Sequence, residues 1–168
     1  MTINYKLDAM LELRKFIWSE LVASGVFNPE EYQLDGGGTT NPILPVQQPA
    51  EMNQLFNGKK HIIYDKINTS YEDNWMICCE QILFTIYSTQ ISEINEITNF
   101  MIDTFRRMDE SARDINGSLP ISTKFKFFST YIADISPTTP SKEMAGFYSS
   151  DIILQVKYSR FVENGRFI

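Results

Sequence analysis

Four carboxylates, Asp65, Glu72, Asp73 and Glu80, are the side chains whose types and spacing could support catalysis. They bracket a hairpin-like region, where they could hold a divalent cation or act as an acid and base pair. Nuclease-type sites add a lysine two residues after a strand carboxylate, whereas a glutamine and an isoleucine follow Glu80. We therefore favour ordinary surface acids of a solvated turn, and a small metal-dependent hydrolase is the weakest alternative.

Other chemistry-bearing residues also lack the partners that catalysis needs. His61 is the single histidine, without cysteine or carboxylate partners at ligand spacing, so a surface or edge position is expected. The three glycines at 36–38 lead into an Asn-Pro step instead of a helix with a lysine, which indicates a loop tip and not a phosphate cradle. The adjacent Cys78 and Cys79 would point to opposite sides of a strand, so two free thiols are predicted. No enzymatic activity and no cofactor are expected.

Composition sets the broad class of the protein. The chain has 168 residues, is 43% hydrophobic and carries a net charge of −6. An acidic protein is poorly suited to binding nucleic acid through its phosphates. An acidic surface would nevertheless allow DNA to pass close by without binding. The first residues show no secretory signal pattern, and no apolar run approaches the length of a membrane span.

Hydrophobic periodicity predicts two helices and four strands. The helices are expected at 6–24 and 92–108, and the strands at 61–67, 76–88, 124–135 and 147–161. Their order predicts a single α+β domain over residues 1–168: a mostly antiparallel four-stranded sheet with two main helices packed on one face. Residues 28–58 are predicted to be a long irregular loop within it, because prolines and the glycine run interrupt any period.

The strand predicted at 76–88 is apolar on both faces, so both faces need cover. A chain this short, with few helices, leaves one face for another subunit, and Leu83 and Tyr87 are candidate interface residues there. The apolar pair Ile43 and Leu44 predicts that part of the long loop is extended and packed, against a neighbouring subunit among the possibilities. Trp75 is a further candidate anchor, with a core or loop-covering role equally open.

Residues 106–114, here named the mixed-charge segment, carry both signs of charge in a short stretch. Arg106 and Arg107 would suit phosphates alone, but Asp109 and Glu110 follow at once. Opposite charges cancel the attraction to a duplex, so the segment favours docking to another protein subunit. These four residues complete the set of candidate interface positions.

Taken in order, these segments resemble a structural protein family. The likeness rests on residues 45–49, 61–66, 74–75, 80–88, 105–112 and 153–158. Together they span most of the chain after Gln33 and resemble the tail terminator, or tail completion, proteins of tailed bacteriophages, of the contractile-tailed type. The glycine run at 36–38 has no place in that pattern.

The resemblance implies a virion protein of the tail and neck, assembled in the host cytoplasm. Such proteins form rings, commonly hexamers, that cap the tail tube and then face the neck proteins of the head. The implied partners are further copies of the chain, the tail tube protein, and the sheath and neck or head-completion proteins. DNA would pass through the ring without specific binding, and no membrane is involved. A head-completion or neck stopper role is the alternative that the sequence leaves open.

Overall fold

The computed structural model describes residues 9–33, 36–46, 56, 58–72, 77–106, 108–119, 126–159, 162–163 and 166–167. The α+β class is confirmed within these ranges. The predicted four-stranded antiparallel sheet with two helices is wrong, because the described chain forms a six-stranded mixed sheet and three α-helices. The additional strands of this sheet are two or three residues long, and the additional helix consists mostly of charged and polar residues.

The elements follow one another in a simple order. The helices are α1 (Ala9–Ala23), α2 (Ile91–Phe105) and α3 (Met108–Ser118), with a 3-10 helix at Pro29–Tyr32. The strands are β1 (Ile43–Pro45), β2 (His61–Glu72), β3 (Ile77–Ser88), β4 (Lys126–Ile135), β5 (Thr139–Pro140), β6 (Tyr148–Ser159), β7 (Val162–Glu163) and β8 (Arg166–Phe167). The long segment predicted at 28–58 therefore contains the 3-10 helix and β1.

The main sheet has the strand order β1-β2-β3-β6-β4, with β5 added to β6. Only the β1–β2 pair is parallel, and the remaining pairs in this sheet are antiparallel. The strands β7 and β8 form a separate two-stranded ladder. Helix α2 lies across β3, β6 and β4, whereas α3 packs along β4.

Gly25 lies just after the C-terminal end of helix α1. Its φ is 77°, a left-handed backbone conformation that residues with a Cβ rarely adopt. Its N–H donates to the Val22 carbonyl and that of Val26 donates to the Leu21 carbonyl, which together form a Schellman motif. Val26 and Leu21 are both buried, so the hydrophobic contact that accompanies this motif also joins the helix end to the core.

Helix α2 is shorter than predicted, since it ends at Phe105 and a second helix begins at Met108. Its start is held by Ser88, whose Oγ accepts a hydrogen bond from the Gln90 N–H and donates to the Glu93 carboxylate. Part of the mixed-charge segment thus belongs to α3. This helix buries only two apolar side chains among its described residues, Ala112 and Ile115, so its sequence offers few apolar positions from which to predict it.

Strand β4 contains two register shifts, between Phe127 and Ser129 and between Ile132 and Asp134. Simple alternation from Phe127 would place Tyr131 on the same face of the strand. A bulge reverses the facing of the residues that follow it, and here Thr130 is buried opposite Val156 whereas Tyr131 is half-buried opposite Gln155. The facing of this strand therefore does not follow simple alternation.

Candidate functional site

The main sheet has one covered face and one open face. Along β3, Ile82, Phe84 and Ile86 are buried, whereas Leu83 and Thr85 between them are half-exposed. Strand β6 repeats the same alternation in register with β3. We name the second set the open face: Cys79, Gln81, Leu83, Thr85, Asp151, Ile153, Gln155 and Lys157. This strip mixes apolar and polar side chains, which is typical of surfaces that bind other proteins.

A cleft of about 380 Å³ lies at one end of the open face. Leu83, Thr85 and Asp151 line it from the central strands of the sheet. Residues 139–144, which comprise β5 and the loop after it, line the other side. Thr85 Oγ1 donates to Asp151 Oδ1 at 2.8 Å. Two carboxylates of the lining, Asp151 and Glu143, accept hydrogen bonds from hydroxyls of the same chain. With Asp65 and Lys142 they give the lining a net negative charge.

Tyr87 joins the sheet to the loop beside the cleft. Its hydroxyl donates to Glu143 Oε2 at 3.0 Å, and its ring is buried. Burial, and then the hydrogen bond and charge of Glu143, raise the pKa of the Tyr87 hydroxyl. The phenol therefore stays protonated at neutral pH and keeps donating to the carboxylate that fixes the loop.

The candidate interface residues from the sheet and the long loop have different environments. Leu83 is half-exposed on the open face, whereas Tyr87 is buried below the loop. Ile43 is fully buried in β1, opposite Ile62, and its carbonyl accepts a hydrogen bond from Arg14 Nε. Leu44 is half-buried. Of these four, Leu83 and Leu44 present surface to a partner.

The mixed-charge segment lies on the other side of the sheet, where α2 ends. Arg106 Nη1 lies 3.7 Å from Asp103 Oδ1, and both side chains are exposed, so this ion pair contributes little stability. Asp109 and Glu110 belong to the first turn of α3, and Glu110 is half-buried. Arg107, Trp75 and the side chain of Asp109 lie outside the described residues.

The carboxylates considered for catalysis face different ways. Asp65 is exposed and pairs with Leu83 of the open face, whereas Glu80 is buried on the covered face. Glu80 Oε1 accepts a hydrogen bond of 2.8 Å from the Tyr158 hydroxyl and lies 3.7 Å from Lys66 Nζ. Asp65 and Glu80 therefore cannot share one cation. Asp73 lies outside the described residues, among which no three His, Cys, Asp or Glu side chains are grouped as a metal site.

His61 is fully buried, so the expected surface or edge position is wrong. Its ring stacks between Phe56 and Tyr87, with centroid distances of 4.8 Å and 5.2 Å. Nδ1 lies 2.9 Å from the Lys59 carbonyl, while the buried Nε2 has no hydrogen-bond partner. Sequence reasoning missed this aromatic cluster because Tyr87 and Phe147 are distant from His61 along the chain.

No protein-family model matches the chain. No curated protein matches it. Separately, the helices in the described part of the chain are too short or too polar to cross a lipid bilayer.

At the far end of the open face, Cys79 lies beside an ion pair. Its Sγ is 3.6 Å from Glu72 Oε1, and Glu72 Oε2 is 2.5 Å from Lys157 Nζ. Burial, and then the negative charge of Glu72, raise the pKa of the Cys79 thiol. The thiol is therefore a poor nucleophile at neutral pH.

Replacement of Glu72 by glutamine is expected to make Cys79 react severalfold faster with iodoacetamide at pH 8. The variant removes the charge that disfavours the thiolate, whereas Lys157→Gln removes a stabilising cation and should slow the reaction. Peptide mass spectrometry follows the modification of Cys79 alone, since Cys78 is fully buried. Equal rates in both variants would contradict this electrostatic explanation.

Proposed function

We propose that the chain is a ring-forming structural protein that caps the tail tube of a bacteriophage and joins it to the neck. The observation that carries the proposal is the open face, where half-exposed Leu83 and Ile153 lie in a sheet that is otherwise well packed. Such a face is stabilised when another protein covers it. The resemblance of the sequence to tail terminator proteins supplies the biological setting.

The arrangement of the two candidate surfaces supports a ring. The open face with its cleft lies on one side of the sheet, whereas the mixed-charge segment follows α2 on the other side. A contact between two unlike surfaces is head-to-tail, and repeated head-to-tail contacts close into a ring when the rotation permits. Although the mixed-charge segment has both signs of charge, its exposed Arg106 and Arg113 are the groups that would pair with the carboxylates of the cleft in such a contact.

The proposed mechanism requires no chemistry. A ring seated on the last layer of the tail tube covers the surface to which further tube subunits would add, and so fixes the length of the tail. Its outer side then offers a new docking surface to the neck. Because each copy carries a net charge of −6, the ring repels DNA phosphates and leaves the genome free to slide through the bore.

The native mass of the purified chain tests the proposal. Light scattering is expected to give several times the 19.4 kDa chain mass, and negative-stain images should show closed rings. Leu83→Glu should shift the protein to monomers, because it places a charge in the contact, whereas Ser19→Glu on the exposed side of α1 should not. Circular dichroism confirms that both variants remain folded.

Rings alone do not separate a tail terminator from a neck stopper. Incubation with isolated bacteriophage tail tubes makes that distinction, because a terminator binds the end of the tube and halts its growth. Protein that stays monomeric and does not bind the tube would overturn the proposal. Rings that bind the connector at the head instead would favour the stopper role.

A further inference from the structure

The buried imidazole of His61 is enclosed by three aromatic rings. It stacks on Phe56 on one side and on Tyr87 on the other, and the Phe147 ring meets it edge-on with a centroid distance of 5.8 Å. In the described part of the chain, only the Lys59 carbonyl lies within hydrogen-bond distance of the ring, and Nε2 has no partner. The two sides of this enclosure are built differently.

The Phe56 side is backed by the core. The Phe56 ring packs edge-on against Tyr32 with a centroid distance of 6.1 Å, and Tyr32 in turn packs against Trp18 and Phe27. The Tyr32 hydroxyl also donates to the Lys60 carbonyl. A movement of Phe56 would therefore disturb several packed rings at once.

The Tyr87 side is covered by a single surface segment. Residues 141–147, here named the cover segment, join β5 to β6. The segment contains Phe147, which contacts the His61 ring directly, and Glu143, which accepts the hydrogen bond from the Tyr87 hydroxyl at 3.0 Å. Two of the groups that close the cluster on this side thus depend on the position of the cover segment.

Few hydrogen bonds hold the cover segment in its closed shape. The Ser141 N–H donates to the Phe147 carbonyl, and the Phe147 N–H donates to the Met144 carbonyl. Four of the seven residues are exposed. Exposed segments with few hydrogen bonds open at a lower free energy than the core of a protein does. The cover segment is therefore the side on which the cluster opens most easily.

A protonated His61 would have no ready counter-charge. The titratable and charged groups on the surrounding elements are Tyr87 and Glu143 on one side, Tyr32, Glu31 and Glu93 on the other, and Lys59 and Lys60 along its own chain. The lysines are cations, and burial raises the pKa of both phenols, which keep their protons. Glu93 and Glu143 each already accept a hydrogen bond from a hydroxyl, and Glu31 is exposed.

We propose that the cover segment is a pH-sensitive lid: when acid protonates His61, the segment moves away from Tyr87 and Phe147 leaves the imidazole ring, so that water reaches Nε2. Protonation takes place as the pH falls, so the lid is closed at neutral pH and opens on the acid side. Residues 141–144 also form part of one wall of the cleft, and opening therefore changes the shape of the cleft.

The lid lies within one chain and does not depend on the proposed ring. A chain that never forms rings can still open at the cover segment, and a ring can exist without a lid. The native mass decides the ring, whereas the exchange of individual amide hydrogens decides the lid. Failure of one proposal is therefore distinguishable from failure of the other.

Amide hydrogen exchange, measured by NMR on the full chain, tests the lid. The Ser141 and Phe147 amides report opening of the cover segment, and the Leu154 amide in the centre of the sheet reports global unfolding. Between pH 7.5 and pH 5.0, the protection of the two segment amides should fall at least about fivefold, beyond the intrinsic effect of pH. His61→Phe should abolish this change, and Leu154 should stay far better protected than the segment at both pH values.

Tyr87→Phe supplies a second measurement that does not need the His61 variant. It keeps the ring but removes the hydrogen bond to Glu143, so the cover segment should open about tenfold more often. Because opening and protonation are coupled, the pKa of His61 should then rise toward its ordinary value. Tyr148→Phe, which changes a half-buried tyrosine just after the segment, is the matched control and should leave both quantities unchanged.

Two results would overturn the lid. Segment amides that exchange alike in the native protein and in His61→Phe would show that protonation does not act on the segment. Segment amides that exchange only as slowly as the Leu154 amide would show that His61 gains its proton through global unfolding. If His61→Phe does not fold, an unchanged His61 pKa in Tyr87→Phe overturns the proposal by itself.

Discussion

Replacing Phe105 by alanine is expected to lower the free energy of unfolding by about 3–5 kcal/mol. Phe105 is the last residue of α2 and is fully buried. Truncation removes its apolar contacts and leaves a cavity under the point where the chain turns from α2 into α3. Since a domain of this size has a total stability of about 5–15 kcal/mol, the loss is large enough to lower the melting temperature by on the order of 10 °C.

Ile102→Ala is the matched control for this prediction. Ile102 lies one turn earlier on the same helix, is 38% exposed, and should cost no more than about 1 kcal/mol. Urea unfolding of both variants gives the comparison. Similar losses at the two positions would mean that α2 is rotated about its axis, and the placement of Arg106 beyond its end would then be wrong as well.

The sequence predicted the elements whose signals are local. Strand β6 alternates along its whole length, and the buried and half-exposed residues follow that alternation. The first helix was expected to end at residue 24, and α1 ends at Ala23, just before Gly25, whose positive φ stops the helix. Strand geometry places Leu83 of β3 opposite the buried face, and it is half-exposed there. Its role as an interface residue stays a prediction.

The elements that were missed depend on contacts between distant segments. Strand β1 has only three residues and pairs with β2 through a crossover that no local pattern indicates. The bulges of β4 arise where the strand fits against β6 and Asn116, so alternation along the sequence cannot locate them. For the same reason the full length of β2 was not visible from sequence: the predicted strand stopped at Ile67, whereas β2 continues to Glu72.

The free energy of unfolding is expected to fall as the pH drops below about 6.5, and His61 should account for a definable part of that fall. The Lys59 carbonyl can only accept a hydrogen bond, so Nδ1 carries the proton and Nε2 is the free acceptor. Protonation of Nε2 would place a charge in the aromatic cluster without a partner. Burial therefore lowers the pKa of His61 below its usual 6.5, against the weaker opposing effect of the Lys59 carbonyl.

The direction of the effect follows from where the proton binds. Above pH 6.5 the imidazole is neutral in both states and contributes nothing. Below pH 6.5 the unfolded chain takes up a proton that the folded chain does not accept until its own lower pKa is reached. Stability therefore decreases through this window by at most about 1.4 kcal/mol per pH unit, and the decrease ends below the folded pKa.

His61→Phe should remove this component, because phenylalanine keeps the stacking between Phe56 and Tyr87 but does not titrate. Urea unfolding between pH 8 and pH 5 measures both proteins, and carboxylates contribute equally to each, so the difference between the two curves belongs to His61. As the only histidine in the chain, His61 also gives a single imidazole signal in an NMR titration. A folded pKa at or above 6.5 would show that Nε2 reaches water or a partner. That result would contradict the burial of the aromatic cluster that contains His61.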